Sequence, residues 1–278
     1  MRASAVVQQL ASKLYGPIDS FTYKGFYNFP FGKAPRANGD QYKKIWEEAK
    51  AKKHEDIDAY EKEIGYAIDQ NWMHELALVT QIVIKKSDIC YQHGRLLYST
   101  LSKFIADNAF KSINILETGT ARGFSSLCLS KALKDGNQAG KIITFDVIPN
   151  DTKMYWNCIA DENGPQTRQQ LLNSYKELLD EYIIFHQGDS KFELKKVSFP
   201  RIHFAFLDGA HTYKYVMHEF EIVKDKQLKG DIIFFDDYTP NIFPGIVKAV
   251  DEICEEYKYH KKVITVSNQR GYVIAQKQ

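Results

Sequence analysis

From Ile113 onward, short apolar runs alternate with longer stretches whose apolar residues recur every three or four positions, a pattern that predicts strand, helix, strand, helix. Strands are expected near 113–117, 141–146, 182–186, 202–207 and 231–236, and helices near 123–134, 166–180, 212–227 and 244–257. Near-continuous apolar strands joined by helices belong to a parallel sheet covered on both faces. The ending differs. Lys262-Val263-Ile264-Thr265-Val266 and Gly271-Tyr272-Val273-Ile274-Ala275 are joined closely enough to form an antiparallel hairpin. The expectation is a doubly wound α/β sheet of seven strands, mostly parallel, with a C-terminal antiparallel hairpin.

The chain before this sheet has another texture. Leu96, Leu97, Leu101, Phe104 and Ile105 keep helical spacing within Gly94–Phe110, as do the apolar residues of Trp72–Ile84. Asp40 is placed to cap a helix running through Tyr42, Ile45 and Trp46 into the charged stretch Glu47–Glu55, and a second helical stretch runs from Ile57 to about Ile68. Tyr15–Pro35 is rich in aromatics, Gly and Pro without a clear period. It is expected to lie extended over its own domain or over a second subunit of a homo-oligomer. The chain thus divides into 1–95, an aromatic segment and helical cap, and 96–278, the α/β domain.

Composition narrows the function classes. With 37 basic and 35 acidic residues, 278 residues carry a formal net charge of only +2, so no strong overall field favours nucleic acid or an anionic membrane surface. The four cysteines, Cys90, Cys128, Cys158 and Cys254, are far apart and form no Cys-x-x-Cys pair, as expected of ordinary thiols in a reducing compartment. No long apolar span or signal-like apolar region is present, so a soluble, cytoplasmic location is expected.

The candidate chemistry lies where the strands end. The first strand runs into Glu117-Thr118-Gly119-Thr120-Ala121-Arg122-Gly123, followed by a helix start at Phe124-Ser125. Glycines there let backbone approach a ligand, and the helix N-terminus offers unpaired N–H groups. A dinucleotide turn prefers Gly-x-Gly-x-x-Gly, whereas Ala121 stands at the second glycine and an acid precedes the first. That acid suits a cationic ligand better than a pyrophosphate. Ligands of doubly wound sheets bind at the carboxyl ends of the strands, and here each end carries an acid: Glu117, Asp146, Asp189, Asp208 and the pair Asp236-Asp237. Any one of these also fits a helix cap or a solvated turn. Asp146 is placed to accept from both ribose hydroxyls of an adenosine ligand, and Asp189 to accept from its adenine amino group. Asp208, Asp236 and Asp237, with His211 beside them, form a hard oxygen set suited to Mg²⁺.

Residues 110–278 resemble the class I S-adenosylmethionine-dependent methyltransferases, and most of all the cation-dependent O-methyltransferases, among them the catechol and the macrolide- and aminocoumarin-sugar enzymes. The resemblance rests on Glu117-x-Gly119-x-x-x-Gly123-x-Ser125, on Asp146, and on Asp208 with Asp236-Asp237. Having His211 and a second aspartate at 237 brings the chain nearer the sugar-modifying relatives. The resemblance implies a Rossmann-like fold and S-adenosylmethionine bound across Glu117, Gly119, Thr120, Gly123 and Ser125, with Asp146 on the ribose. It also implies Mg²⁺ on Asp208, Asp236 and Asp237, and His211 as base toward a hydroxyl of a small molecule, a sugar or sugar-containing metabolite. Tyr155, Trp156, Arg95 and Tyr238 are candidate acceptor-binding residues. Two rival readings stay open at this point, an NAD-dependent oxidoreductase, on the glycine turn and Asp146, and a non-catalytic binding module of the same fold.

Overall fold

The computed structural model describes residues 30–267 and 270–278, so most of the aromatic segment Tyr15–Pro35 lies outside the described residues. Four helices precede the sheet: α1 (Gly39–Lys50), α2 (Glu55–Ile64), α3 (Gln70–Thr80) and α4 (His93–Ala106). The sheet and its connections follow as β1 (Ile113–Thr118), α5 (Phe124–Asp135), β2 (Gly140–Asp146), α6 (Lys176–Tyr182), β3 (Ile183–Gln187), β4 (Phe204–Leu207), α7 (Tyr213–Val223), β5 (Ile232–Phe235), α8 (Pro244–Glu256), β6 (Tyr259–Ser267) and β7 (Arg270–Lys277). Among the described residues no helix is long and apolar enough to cross a membrane.

The seven strands lie in the order β3-β2-β1-β4-β5-β7-β6. β1 to β5 pair in parallel, β7 runs antiparallel to β5 and β6 antiparallel to β7, so the expected hairpin closes the sheet. The chain order reverses direction between β1 and β4, which opens the crevice where such sheets bind ligands.

Each central strand is buried on both faces, and alternation splits its side chains between two cores. Ile115, Phe204, Phe206 and Phe234 pack on one face with the helical cap, represented by Tyr42, Ile57 and Met73. Leu116, Ala205, Leu207, Ile233 and Phe235 pack on the other with Phe220 of α7 and Ile246 of α8. Each buried Leu, Ile or Phe among them contributes about 1.5–3 kcal/mol through burial, which makes the strand ends a rigid frame.

Two local expectations change. The cap of α1 is Asn38, which accepts from Gln41 N–H while Gln41 Oε1 accepts from Asn38 N–H; Asp40 sits inside the first turn. The helix expected over 166–180 is broken, with one turn at Arg168–Leu171, a tight turn at Asn173–Tyr175, and then α6. Asn and Ser hydrogen-bond locally in non-helical conformations, so Asn173-Ser174 favours the interruption. It lets Leu172 bury at 0 % exposure, with its tip beneath Gly123.

Candidate functional site

The first cleft opens at the β1/β4 crevice and measures about 450 Å³. Its floor is the turn after β1. Gly119 has φ +87°, and a Cβ there would run into the carbonyl oxygen of Asp208 on the neighbouring strand end. Only glycine fits this crossing of two strand ends. Ala121 also adopts a left-handed backbone, φ +46°, and its N–H donates to Asp146 Oδ2 at 2.5 Å. Asp146 Oδ1 accepts from Ile148 N–H at 2.8 Å, so the acid ending β2 clamps the turn while its remaining lone pairs line the cleft. Asp189 lines the same cleft from the neighbouring strand end, where Gly188 N–H donates to Asp146 O at 2.7 Å. It caps the turn Ser190–Glu193 by accepting from Lys191 N–H at 2.9 Å, and it lies 3.4 Å from the Tyr215 hydroxyl.

Glu117 is not in this cleft. It is fully buried, and its two oxygens accept from the hydroxyls of Ser125 and Ser126 on α5. Burial pushes its carboxyl upward, and the two hydroxyls oppose that shift. The residue ties β1 to α5 rather than facing a cationic ligand. Thr120 is likewise buried, paired with Thr144 on β2, and Gly123 with φ +87° caps α5. Of the seven residues expected at a cofactor, Gly119, Asp146 and Asp189 line the cleft, whereas Glu117, Thr120, Gly123 and Ser125 shape it from below.

A second cleft, about 530 Å³, lies on the other side of His211. Lys52, Lys53 and His54, between α1 and α2, form one wall, Ile242 and Phe243 another, and Arg270 and Asp237 the inner end. His211 lines both clefts. It is positioned by the turn after β4 and by Thr212, which caps α7 by accepting from Tyr215 N–H. Its ring packs 5.1 Å from Phe243.

Acids surround the imidazole. Nδ1 lies 3.2 Å from Asp237 Oδ2 and 4.0 Å from Asp208 Oδ1, and ligand atoms of Asp208, His211 and Asp237 all fall within 4.8 Å of one another. Asp236 is beside this set, not in it. Its Oδ1 accepts the N–H of Asp237 at 2.6 Å, holding Asp237 in a left-handed backbone with φ +55°. Burial, then the charge of Asp237, pushes Asp236 up to about 7. Burial, then Asp236 and Asp237, also raises Asp208 well above the carboxylate range. These acids repel one another and lack enough positive charge. One compensating cation is Arg270, whose Nη1 donates to Asp237 Oδ1 at 2.7 Å. Burial opposes the charge of Arg270, but Asp236 and Asp237 more than offset this and raise its pKa.

The expected acceptor residues part company here. Trp156 is 1 % exposed, donates from Nε1 to Gln166 O, and packs 5.6 Å from Phe31, so it is core. Arg95 is buried between Asp58 and Glu61 of α2, to which its guanidinium donates. It fastens the helical cap to α4. Tyr238 turns away and donates to Asp251 Oδ1 on α8 at 2.8 Å. Tyr155 is half-buried and lines neither cleft.

Three residues that the sequence did not single out matter. Arg168 is buried behind the glycine turn, donating to Ala121 O at 3.0 Å and to Asn150. Arg270 reaches the acids because β7 runs antiparallel to β5, so its first residue meets the carboxyl end of β5; Tyr238 N–H donates to Gly271 O there. The hairpin register carries that signal in the sequence. Glu219 of α7 is 1 % exposed and accepts from Thr118 Oγ1 at 3.1 Å and Ser190 Oγ at 2.8 Å, bracing two loops of the first cleft from below.

Burial, only partly opposed by these two hydroxyls, lifts the Glu219 carboxyl to about 7. A carboxyl raised on folding stabilises the folded state while protonated and loses that contribution as pH climbs from about 4.3, the unfolded value, to about 7. Glu219→Gln is therefore expected to gain thermal stability over the parent as pH rises through this window and to hold a constant advantage above it. Melting curves from pH 4.5 to 8.5 check this, and a difference independent of pH would contradict it.

Residues 116–238 match the family model described as a methyltransferase domain. No curated protein matches the chain. Among solved structures it is similar to the O-methyltransferase NovP, at 18 % identity and TM-score 0.52 over 70 % of this chain and 83 % of that one. It is similar too to an O-methyltransferase from Bacillus cereus in complex with SAH, at 18 % identity and 0.53 over 80 % and 97 %. A third is the O-methyltransferase TomG from Streptomyces achromogenes in complex with SAM, at 15 % and 0.51 over 76 % and 92 %.

Proposed function

We propose, for a chain that carries a class I methyltransferase domain, that it transfers the methyl group of S-adenosylmethionine to a hydroxyl of a small molecule, a sugar or sugar-containing metabolite, with the help of Mg²⁺. The observation that carries this reading is the position of His211, the one side chain among the described residues that lines both clefts, and an imidazole can take a proton. The cleft over Gly119 and Ala121, walled by Asp146 and Asp189, suits an adenosine ligand, with Asp146 on the ribose and Asp189 toward the base. The second cleft is large enough for a sugar-sized acceptor. Reactants bound from opposite sides meet at His211, and positioning supplies much of the rate. Burial and mutual repulsion raise the carboxyls of Asp208 and Asp236, and the oxygens of Asp208 and Asp237, with Asp236 behind them, are hard ligands that suit Mg²⁺. Bound there, a divalent cation lowers the pKa of an acceptor hydroxyl.

The chain's own residues do the rest. Asp237 Oδ2 lies 3.2 Å from His211 Nδ1, and its charge favours the tautomer protonated on Nδ1, which leaves Nε2 to act. Nε2 would then take the hydroxyl proton as the oxygen bonds to the methyl carbon and the carbon–sulfur bond breaks, with S-adenosylhomocysteine as the leaving group. Arg270 Nη1 donates to Asp237 Oδ1 and holds that carboxylate in place. Because Mg²⁺ takes oxygen ligands, the imidazole is spared for the proton.

Turnover of methyl-labelled S-adenosylmethionine with an accepted hydroxyl compound is expected to disappear in excess chelator and return on adding Mg²⁺. Full turnover in chelator would leave the cofactor reading standing and remove the metal.

A further inference from the structure

The second cleft does not end at His54. Past Lys52, Ser87 and Asp88 it continues into a depression of about 360 Å³ that Glu48, Lys85 and Lys86 also line. The joined groove holds five cations, Lys52, Lys53, Lys85, Lys86 and Arg270, against three carboxylates, Glu48, Asp88 and Asp237. On a chain whose whole excess is +2, this is a local concentration of positive charge. Two of the carboxylates are already engaged. Asp237 faces Arg270 and His211, and Asp88 lies 3.9 Å from Lys52. Lys53, Lys85 and Lys86 have no carboxylate at ion-pair distance among the described residues. Burial, and then the charge of Arg270, lowers the pKa of Lys85, as expected of a cation short of an anion.

We propose that this groove takes an acceptor bearing a phosphate or pyrophosphate group, with Lys53, Lys85 and Lys86 on the anion and the acceptor hydroxyl at His211. The proposal rests on the second cleft being the acceptor site. Lysines serve phosphates as point charges, so no fork geometry is required of the three. The anion is held where the two hollows meet at Lys52, Ser87 and Asp88, with Lys53 on the side of the second cleft and Lys85 and Lys86 on the side of the depression, and the inner end, where Asp237 would repel it, receives the neutral hydroxyl part. The lysines come from the α1–α2 and α3–α4 connections, so the helical cap gives the reaction its choice of acceptor.

The test is calorimetric titration of inorganic pyrophosphate into the full chain saturated with S-adenosylhomocysteine, without metal, at low salt and pH 7.5. Pyrophosphate is expected to bind the parent, to weaken as salt rises, and to lose at least tenfold in affinity on Lys53→Glu with Lys86→Glu. Lys111→Glu with Lys229→Glu, exposed and outside the groove, is the charge-matched control and is expected to bind as the parent does. Equal affinity in the two double variants, or citrate bound as tightly as pyrophosphate, overturns the proposal. Failure of S-adenosylhomocysteine itself to bind overturns instead the reading of the first cleft.

Discussion

His211→Ala is expected to lower turnover by about 10²–10⁴-fold, the usual worth of a positioned general base, which is about 2.7–5.5 kcal/mol of barrier. The fold should be untouched, because the ring is 44 % exposed and rests on Phe243 rather than in a core. Affinity for S-adenosylhomocysteine is expected to stay within a few-fold, since the first cleft keeps its floor and its two acidic walls. The limb of the pH–rate profile in which activity rises as an imidazole loses its proton should vanish with the ring. A variant with unchanged turnover and an unchanged pH profile would remove His211 from the reaction. A variant that melts early would instead assign it to the frame.

Gly119→Ala is expected to abolish binding of S-adenosylhomocysteine, with at least a hundredfold loss of affinity. Two costs combine. A non-glycine residue at φ +87° carries about 1–3 kcal/mol of backbone strain, and its Cβ collides with the carbonyl oxygen of Asp208, a backbone atom that cannot step aside. The strand ends of β1 and β4 must separate, which opens the crevice and displaces Asp208 from His211 and Asp237. Gly230→Ala supplies the comparison. It has φ +92° with nothing within 4 Å of the added Cβ, so it pays the strain alone. Thermal melting and calorimetry on both variants separate the terms: comparable stability and undiminished ligand binding in the two would show that the close crossing of β1 and β4 does not shape the cleft.

The fold was legible where periodicity and burial say the same thing. The strand ends at Glu117, Asp146, Asp208 and Asp236-Asp237 mark the carboxyl edge of the sheet, and the sheet brings Asp208, His211 and Asp237 together. Sequence reading failed where a side chain's direction depends on a partner far along the chain. Glu117 looked like a ligand for a cation, but the serines eight and nine residues later fold back over β1 and take both its oxygens. Trp156 looked like a stacking surface, yet Arg122 donates to its carbonyl oxygen and Gln166 accepts from its ring, which draws the insertion inward. Arg95 met acids of α2 that lie 34 and 37 residues before it. Arg270 was hidden for the opposite reason: read locally it is a turn residue, and only the pairing of β7 with β5 carries it to Asp237. Glu219 gave no local signal, since an acid on a helix is ordinary until two loops close over it.

The cofactor is expected to lie over Gly119 beside Asp146 and Asp189 and to present its sulfur to His211 from one side while the acceptor enters from the other. A crystal structure of the full chain with S-adenosylhomocysteine tests it most directly. The prediction is adenosine in the cleft beside Asp146 and Asp189, sulfur toward His211, and the groove beside Lys52 and Arg270 left open. S-adenosylhomocysteine lying in the lysine groove, with the glycine-turn cleft empty, would contradict it.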